Sequence, residues 1–354
     1  MPQPHNPHNT EPSWFSLIGG GAPSPQPPHA LDHAWRPDEL GPPYFQSTLD
    51  LGEDDEGKVY ATVVKYEPAG FVRAARAVLY VHGWSDYFFQ TETAEFWHAQ
   101  GSAFYALDLR KYGRSLRDWQ TPGYVDDLAT YAFDISAALT LIRAELGAHT
   151  SIMLMGHSTG GLVCSLWAHY NPGEVSGLVL NSPWLELQGS SIVRTMSQPA
   201  LAQLARINPK APLPSIDAGF YARTINAKFG GEWEYNESWR PNPSFPVRPG
   251  WLSAITTGHA RVARGLHITA PILVLASTKT TILARWSDEM LRSDSVLEVD
   301  QIARRAVQLG ENVTVRRIPE GVHDLALSPK PVRDVYYESI RQWSTAYGWS
   351  GTVN

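Results

Sequence analysis

Ser158 is flanked by glycines two residues to either side, in Gly156-His157-Ser158-Thr159-Gly160. A serine hydroxyl becomes a good nucleophile when a base takes its proton, and the base works best when a third group orients it. The two glycines leave room for a sharp chain reversal that would push the serine Oγ out of a sheet. The base is expected downstream. His323, in Ile318-Pro-Glu-Gly-Val-His323-Asp324, follows a strand-like run and precedes a helical one, so it belongs to a loop at a sheet edge. Among the other histidines, His5 and His8 fall in an irregular N-terminal stretch, His149 before the Ser158 strand and His169 on the helix after it. His82 is a second candidate base, but a loop-holding hydrogen bond is the simpler role for it. The orienting acid is expected between the penultimate strand and His323. Asp294 fits, at the opening of the segment that leads into the helix over 299–309. Asp288, Glu289, Glu298 and Asp300 compete with it. The first two lie in a stretch containing Trp286 and Met290, and the last two suit the N-terminus of a helix, where its dipole favours acids.

Attack by Ser158 on an acyl carbonyl would create an oxyanion, which needs two N–H donors. One is expected from Thr159, which follows Ser158 at the start of a helix. The other is expected from Trp84 in His82-Gly83-Trp84-Ser85-Asp86, where Gly83 lets the backbone approach closely. Serine, acid and histidine supply this chemistry by themselves, so no metal and no organic cofactor is expected.

The elements that must position these residues are legible around them. Ser151-Ile-Met-Leu-Met155 before the serine and Gly161-Leu-Val-Cys-Ser-Leu-Trp-Ala-His169 after it predict strand, tight turn and helix. Further strands are expected over 45–51, 58–65, 77–81, 103–107, 177–181, 271–276 and 313–317. Helices are expected over 93–100, 127–146, 299–309 and 331–347; the second has Leu128, Tyr131, Ile135, Leu139 and Ile142 at helical spacing. Runs such as Val78-Leu-Tyr-Val81 and Ile272-Leu-Val-Leu275 are apolar on both faces. That pattern belongs to a parallel sheet covered by helices on both sides, an α/β fold. Gly52-Glu-Asp-Asp-Glu-Gly57 is expected to be the solvated tip of a hairpin rather than a metal site.

Residues 1–43 are rich in Pro, Gly, Asn and His and are expected to form an arm. The core is expected over 44–184 and 266–354, with a proline- and aromatic-containing cap inserted over 185–265. At 354 residues, 43% hydrophobic and 18% charged, the chain has ample material for such a core. A net charge of −6 gives no reason to expect nucleic acid or an anionic membrane as partner. No apolar run approaches the ~20 residues of a membrane-spanning helix, and Met1 to Thr10 has no basic or apolar signal character, so a cytoplasmic location is expected. The single cysteine, Cys164, excludes an intramolecular disulfide and is expected to be a small buried apolar residue.

Taken together, His82-Gly83-Trp84 with Tyr87, Asp108-Leu-Arg-Lys-Tyr-Gly113-Arg-Ser115, Gly156-His-Ser-Thr-Gly160, Asp294 with Val296-Leu297, and Gly321-Val-His323-Asp324 resemble an α/β-hydrolase of the serine-hydrolase type. The resemblance is to the monoacylglycerol lipase and lysophospholipase-like group. It covers about residues 77–184 and 270–346. It implies that Ser158, Asp294 and His323 form a triad in the family's chain order. Two departures stand out. Sixteen residues, Thr278 to Ser293, separate Ser277 from Asp294, where the family has a few. Lys111 stands where the family often has glycine, a loop change expected to have no consequence.

The expected function is hydrolysis of a carboxylic ester with an apolar acyl part through an acyl-enzyme on Ser158. A proline-aminopeptidase-like activity is the alternative, and it would want Glu232, Glu234 or Glu237 to hold a substrate ammonium, although these are expected to face solvent. A non-catalytic binding protein on the same fold is a third possibility, against which the complete Ser–Asp–His set argues.

Overall fold

The computed structural model describes residues 34–70, 74–187, 198–214 and 217–349. In chain order the elements are β1 (Arg36–Pro37), β2 (Tyr44–Asp54), β3 (Gly57–Tyr66), β4 (Arg76–Val81), α1 (Thr91–Ala99), β5 (Ala103–Asp108), α2 (Tyr131–Leu146), β6 (Ser151–His157), α3 (Thr159–Tyr170) and β7 (Gly177–Asn181). They continue with α4 (Gln198–Ile207), α5 (Phe220–Ile225), α6 (Pro249–Ala263), β8 (Ile272–Ser277), α7 (Val299–Ala306), β9 (Val313–Ile318) and α8 (Lys330–Trp343).

One sheet holds the strands in the order β1-β2-β3-β5-β4-β6-β7-β8-β9. The pairs from β1 to β5 are antiparallel, and those from β5 through β4 to β9 are parallel. The parallel strands are apolar throughout because each face meets its own layer. On β4, Ala77, Leu79 and Val81 join the apolar cluster that includes α2, α3 and α6, while Val78 and Tyr80 join the one that includes α1 and α8. Ile152 and Leu154 of β6 divide from Met153 and Met155 in the same way. This is the period-two alternation of a strand buried on both sides.

Of the arm expected over 1–43, residues 1–33 lie outside the described residues. Residues 34–43 are tied to the sheet. Arg36 and Pro37 pair with Phe45 and Gln46 of β2. Asp38, fully buried at its side chain, bonds the Arg114 guanidinium through both carboxylate oxygens, at 2.6 and 2.8 Å. Arg114 also bonds Asp108 at 2.9 Å, and despite its burial these carboxylates push its pKa up. Buried cations of this kind persist only when paired.

The hairpin tip departs from expectation. Asp54 and Glu56 reach Lys111 Nζ at 2.6 and 2.7 Å, and Glu56 also bonds Thr121 and Lys210. Lys111, expected to be an inconsequential loop residue, is 1% exposed and has φ 63°. It occupies a left-handed backbone position that favours glycine, held there by a buried ion pair. The acidic run is therefore a clamp on the loop after β5, not merely a solvated turn.

α6 joins β7 to β8 as the crossover helix and lies close to α3. A Cβ on Gly258 would come within 2.8 Å of Leu128 and 3.3 Å of Leu166. Among the described residues no helix is long and apolar enough to cross a membrane.

Candidate active site

Ser158 sits between the last residue of β6 and the first of α3, at the carboxyl edge of the parallel strands. Its φ of 51° and ψ of −117° are a strained combination for a residue with a Cβ. The flanking glycines make the turn possible. A Cβ on Gly156 would lie 2.7 Å from Gly160 O, and one on Gly160 would overlap the carbonyl oxygens of Val81 and His82. Ser158 N–H donates to Asn181 O at 3.0 Å, which fixes the turn to β7.

His323 is in the loop after β9. Its Nε2 accepts from Ser158 Oγ at 3.0 Å, and its Nδ1–H donates to Asp294 Oδ2 at 2.9 Å. Both residues are buried, His323 at 3% exposure and Asp294 at 0%. The second carboxylate oxygen of Asp294 accepts the N–H groups of Val296 and Leu297 at 2.8 and 2.7 Å, so the acid is fixed from behind. The long separation from β8 is absorbed by a loop that leaves the strand end and returns to it. Asp294 forms a parallel bridge with Thr280, donating N–H to Lys279 O and accepting from Thr281 N–H, at 2.9 and 2.8 Å. The intervening residues protrude, with Ile282 and Leu283 exposed. The competing acids are engaged elsewhere: Asp288 with Trp286 Nε1, Glu289 with Lys279, Glu298 with Gln301 and Asp300 with Arg317.

The loop after β4 runs against Ser158. A Cβ on Gly83 would stand 3.1 Å from Ser158 Cβ, which brings the backbone before Trp84 alongside the serine. Thr159 opens α3 on the other side. His82 is buried with both ring nitrogens occupied. Its Nδ1–H donates to Gly83 O at 2.7 Å and its Nε2 accepts from Leu109 N–H at 3.0 Å, so it holds the loop together.

A polar network that sequence reasoning missed lies beneath this constellation. His157 Nδ1 donates to Asn181 O at 3.1 Å, and burial pushes its pKa down, which keeps the ring neutral. Asn181 Nδ2 donates to Asp324 Oδ1 at 2.6 Å, and Gln90 Nε2 donates to Asp324 Oδ2 at 3.1 Å. Asp86 binds the buried Arg240 at 3.0 Å. Burial opposes the charge on Arg240, but Asp86 outweighs it and raises its pKa. Asp86, His157 and Asp324 have possible ligand atoms within 4.8 Å of one another, a metal-like spacing. Arg240 on Asp86 and the amide donors on Asp324 already occupy that set, so its chemistry fits a hydrogen-bond network better than a cation. The one signal for it in sequence was Asp324 beside His323.

Glu232 pairs with Arg333 at 2.6 Å and Glu237 with Lys228 at 2.8 Å, while Glu234 is exposed.

A family model described as serine aminopeptidase, S33, matches residues 73–329. A monoacylglycerol lipase of Mycolicibacterium smegmatis is 24% identical over 280 residues, which cover 76% of this chain and 88% of that protein. The lipase LipV of Mycobacterium tuberculosis is 27% identical over 229 residues, 62% of this chain and 76% of that one. Among solved structures, a soluble variant of the monoglyceride lipase of Saccharomyces cerevisiae superposes with a TM-score of 0.58 at 14% identity, over 91% of this chain and 98% of the other. At that identity the likeness is one of fold.

Proposed function

The chain belongs to the serine aminopeptidase S33 family, on the α/β-hydrolase fold, and from this we propose that it hydrolyses carboxylic esters through an acyl-enzyme on Ser158. The observation that carries the reading is the unbroken chain from Ser158 Oγ through His323 to Asp294. His323 Nε2 takes the hydroxyl proton as Oγ attacks the acyl carbon. The oxyanion is met by the N–H groups of Thr159 and Trp84. The C–O bond to the alcohol breaks, and His323 returns the proton to the departing oxygen. Water then gives a proton to His323 as its oxygen attacks the acyl carbon; the bond from that carbon to Ser158 Oγ breaks, His323 returns the proton to Oγ, and the acid leaves. Asp294 keeps the imidazole in the tautomer this needs. We take the cap to be residues 185–248, because α6 is needed as the crossover between β7 and β8.

Two tests separate the alternatives. Aryl esters of graded acyl length should be cleaved, and a fluorophosphonate probe should label Ser158. Ser158→Ala and His323→Ala should each lose ester hydrolysis while keeping the far-UV circular dichroism of the wild type. Near wild-type turnover in either would end the triad reading. Aminoacyl-arylamides are expected to be poor substrates, since Glu232 and Glu237 are already paired with Arg333 and Lys228. Preference for the amides would instead favour the peptidase.

A further inference from the structure

The imidazole of His323 is fixed within its own plane by its bonds to Ser158 Oγ and Asp294 Oδ2, at 3.0 and 2.9 Å. Those bonds leave it free to rock about the line that joins them, and the outer torsion of a histidine side chain is broad. What resists rocking is packing. Among the described residues two rings lie beside the imidazole: His157, with centroids 4.8 Å apart, and Tyr221, at 5.4 Å and nearly perpendicular. His157 ends β6 and is tied to Asn181. Tyr221 comes from α5, in the inserted segment. Its Oη also accepts Asp324 N–H at 3.2 Å, so it holds the backbone next to the base as well as the ring.

α5 has six residues, too few to be stable alone, so its place is set by what it packs on. One support is Arg240, whose guanidinium lies 5.2 Å from the Tyr221 ring centroid while bonded to Asp86. Another is the long loop between β8 and Asp294. Trp286, half-buried on that loop, has the Arg223 guanidinium over its ring at 4.1 Å and the Phe220 ring at 6.1 Å. Phe220 and Arg223 are one helical turn apart, so α5 sets one face on Trp286. The indole is itself held, its N–H donating to Asp288 Oδ1 at 2.9 Å. The same loop ends in Asp294, whose backbone pairs with Lys279 and Thr281. The contacts therefore close a circuit: Asp294, its loop, Trp286, α5, Tyr221, His323 and back to Asp294.

Asp294 draws its own support from the ends of the loop, through Lys279, Thr281, Val296 and Leu297. Trp286, between those ends, meets α5 instead. We propose that the long acid loop is a brace for the base: Trp286 holds α5 in place, and through it Tyr221 is a positioning residue for His323. Neither side chain takes part in proton transfer. An imidazole that rocks loses its alignment with Ser158 Oγ, and that slows the chemical steps without weakening substrate binding. This rests on the ester-hydrolase reading above.

Steady-state hydrolysis of para-nitrophenyl acetate and hexanoate tests it. Rates are expressed per serine labelled by a fluorophosphonate, so the amount of folded enzyme does not enter. Tyr221→Ala should lower kcat at least about tenfold with KM held within about threefold, and by the same factor for both esters. Tyr221→Phe, which keeps the ring, should recover most of that loss. Trp286→Ala, on the protruding loop, should lower kcat about fivefold, and Trp286→Phe should restore it. The low-field proton resonance of the His323–Asp294 hydrogen bond should broaden in both alanine variants. Because Trp286 acts through Tyr221, the double alanine variant should be no slower than Tyr221→Ala alone. An unchanged kcat in Trp286→Ala would overturn the proposal, as would losses that multiply in the double variant. A rise in KM at constant kcat, or a loss that depends on acyl length, would make Tyr221 a wall of the substrate pocket and overturn it too. Absence of ester cleavage together with absence of labelling in the wild type would overturn the ester-hydrolase reading, and the brace with it.

Discussion

Asp294 and Lys111 carry the two departures from the family pattern, and the structure accounts for both. Asp294 lies far along the chain from β8 yet beside Thr280 in space, because a loop is cheap to lengthen when its ends stay paired. Asp294→Asn should lower kcat on the order of 10⁴-fold, since the amide favours the wrong imidazole tautomer. Asp288→Asn, on the exposed loop, should stay within a few-fold of wild type in the same steady-state assay. The reverse ranking would move the acid to the loop. Lys111 matters to stability. Lys111→Met leaves Glu56 and Asp54 without their main cation and should cost about 2–3 kcal/mol in urea unfolding, less than for a fully enclosed pair because Asp54 keeps contact with water. Burial alone would raise the Glu56 pKa, but hydrogen bonds from Lys111, Thr121 and Lys210 outweigh it and hold the carboxyl at about 2, below its usual 4.5. A lowered carboxyl pKa contributes stability that is present above about 4.5 and lost as pH falls through about 2. The gap between wild type and Lys111→Met should therefore be widest near neutral pH and close across that acid window. A gap that stayed constant would mean that packing, not charge, holds Lys111.

At the scale of elements, β6, the Ser158 turn and α3 form one unit whose tolerance is set by backbone contact. Gly160 has no space for a side chain, because the carbonyls of Val81, the last residue of the paired strand β4, and of His82 just after it lie where its Cβ would be, and the strand carbonyl cannot step aside. Gly160→Ala should cost more than about 4 kcal/mol or abolish soluble expression, as large effects do when a buried backbone must shift. Exposed glycines whose Cβ would meet nothing, such as Gly101 and Gly173, mark the contrast, although both have positive φ. A Gly160→Ala protein with wild-type thermal stability would mean that α3 can lift from β4 without penalty.

At the scale of the molecule, residues 235–245, between β7 and α6, are fastened to the loop that follows β4. Arg240 bonds Asp86 and lies over Tyr235 at 4.9 Å, Phe245 N–H donates to Ser85 Oγ at 3.0 Å, and Asn236 N–H donates to Tyr87 Oη at 2.7 Å. Those partners lie next to Trp84, so this stretch braces the expected oxyanion loop. Arg240→Met would leave Asp86 buried without its cation, a loss of about 3–5 kcal/mol by analogy with other broken buried pairs. Activity should fall further than the folded fraction does, measured by active-site titration with a fluorophosphonate. Equal losses would assign Arg240 to stability alone.

Local pattern sufficed for whatever depends on neighbours in sequence. The apolar runs of β4, β6 and β8 announced a buried parallel sheet, because a strand covered on both faces has no polar alternation to display. The glycines around Ser158 announced its turn, and the order of Ser158, Asp294 and His323 announced which side chains to bring together. What the sequence could not carry is pairing across long intervals. Nothing local marks Asp38 as the partner of Arg114, or the acidic hairpin tip as the clamp on Lys111, since both read as ordinary surface charges until tertiary packing removes water from them. Burial decides the worth of a charge or a hydrogen bond, and burial is a property of the whole fold.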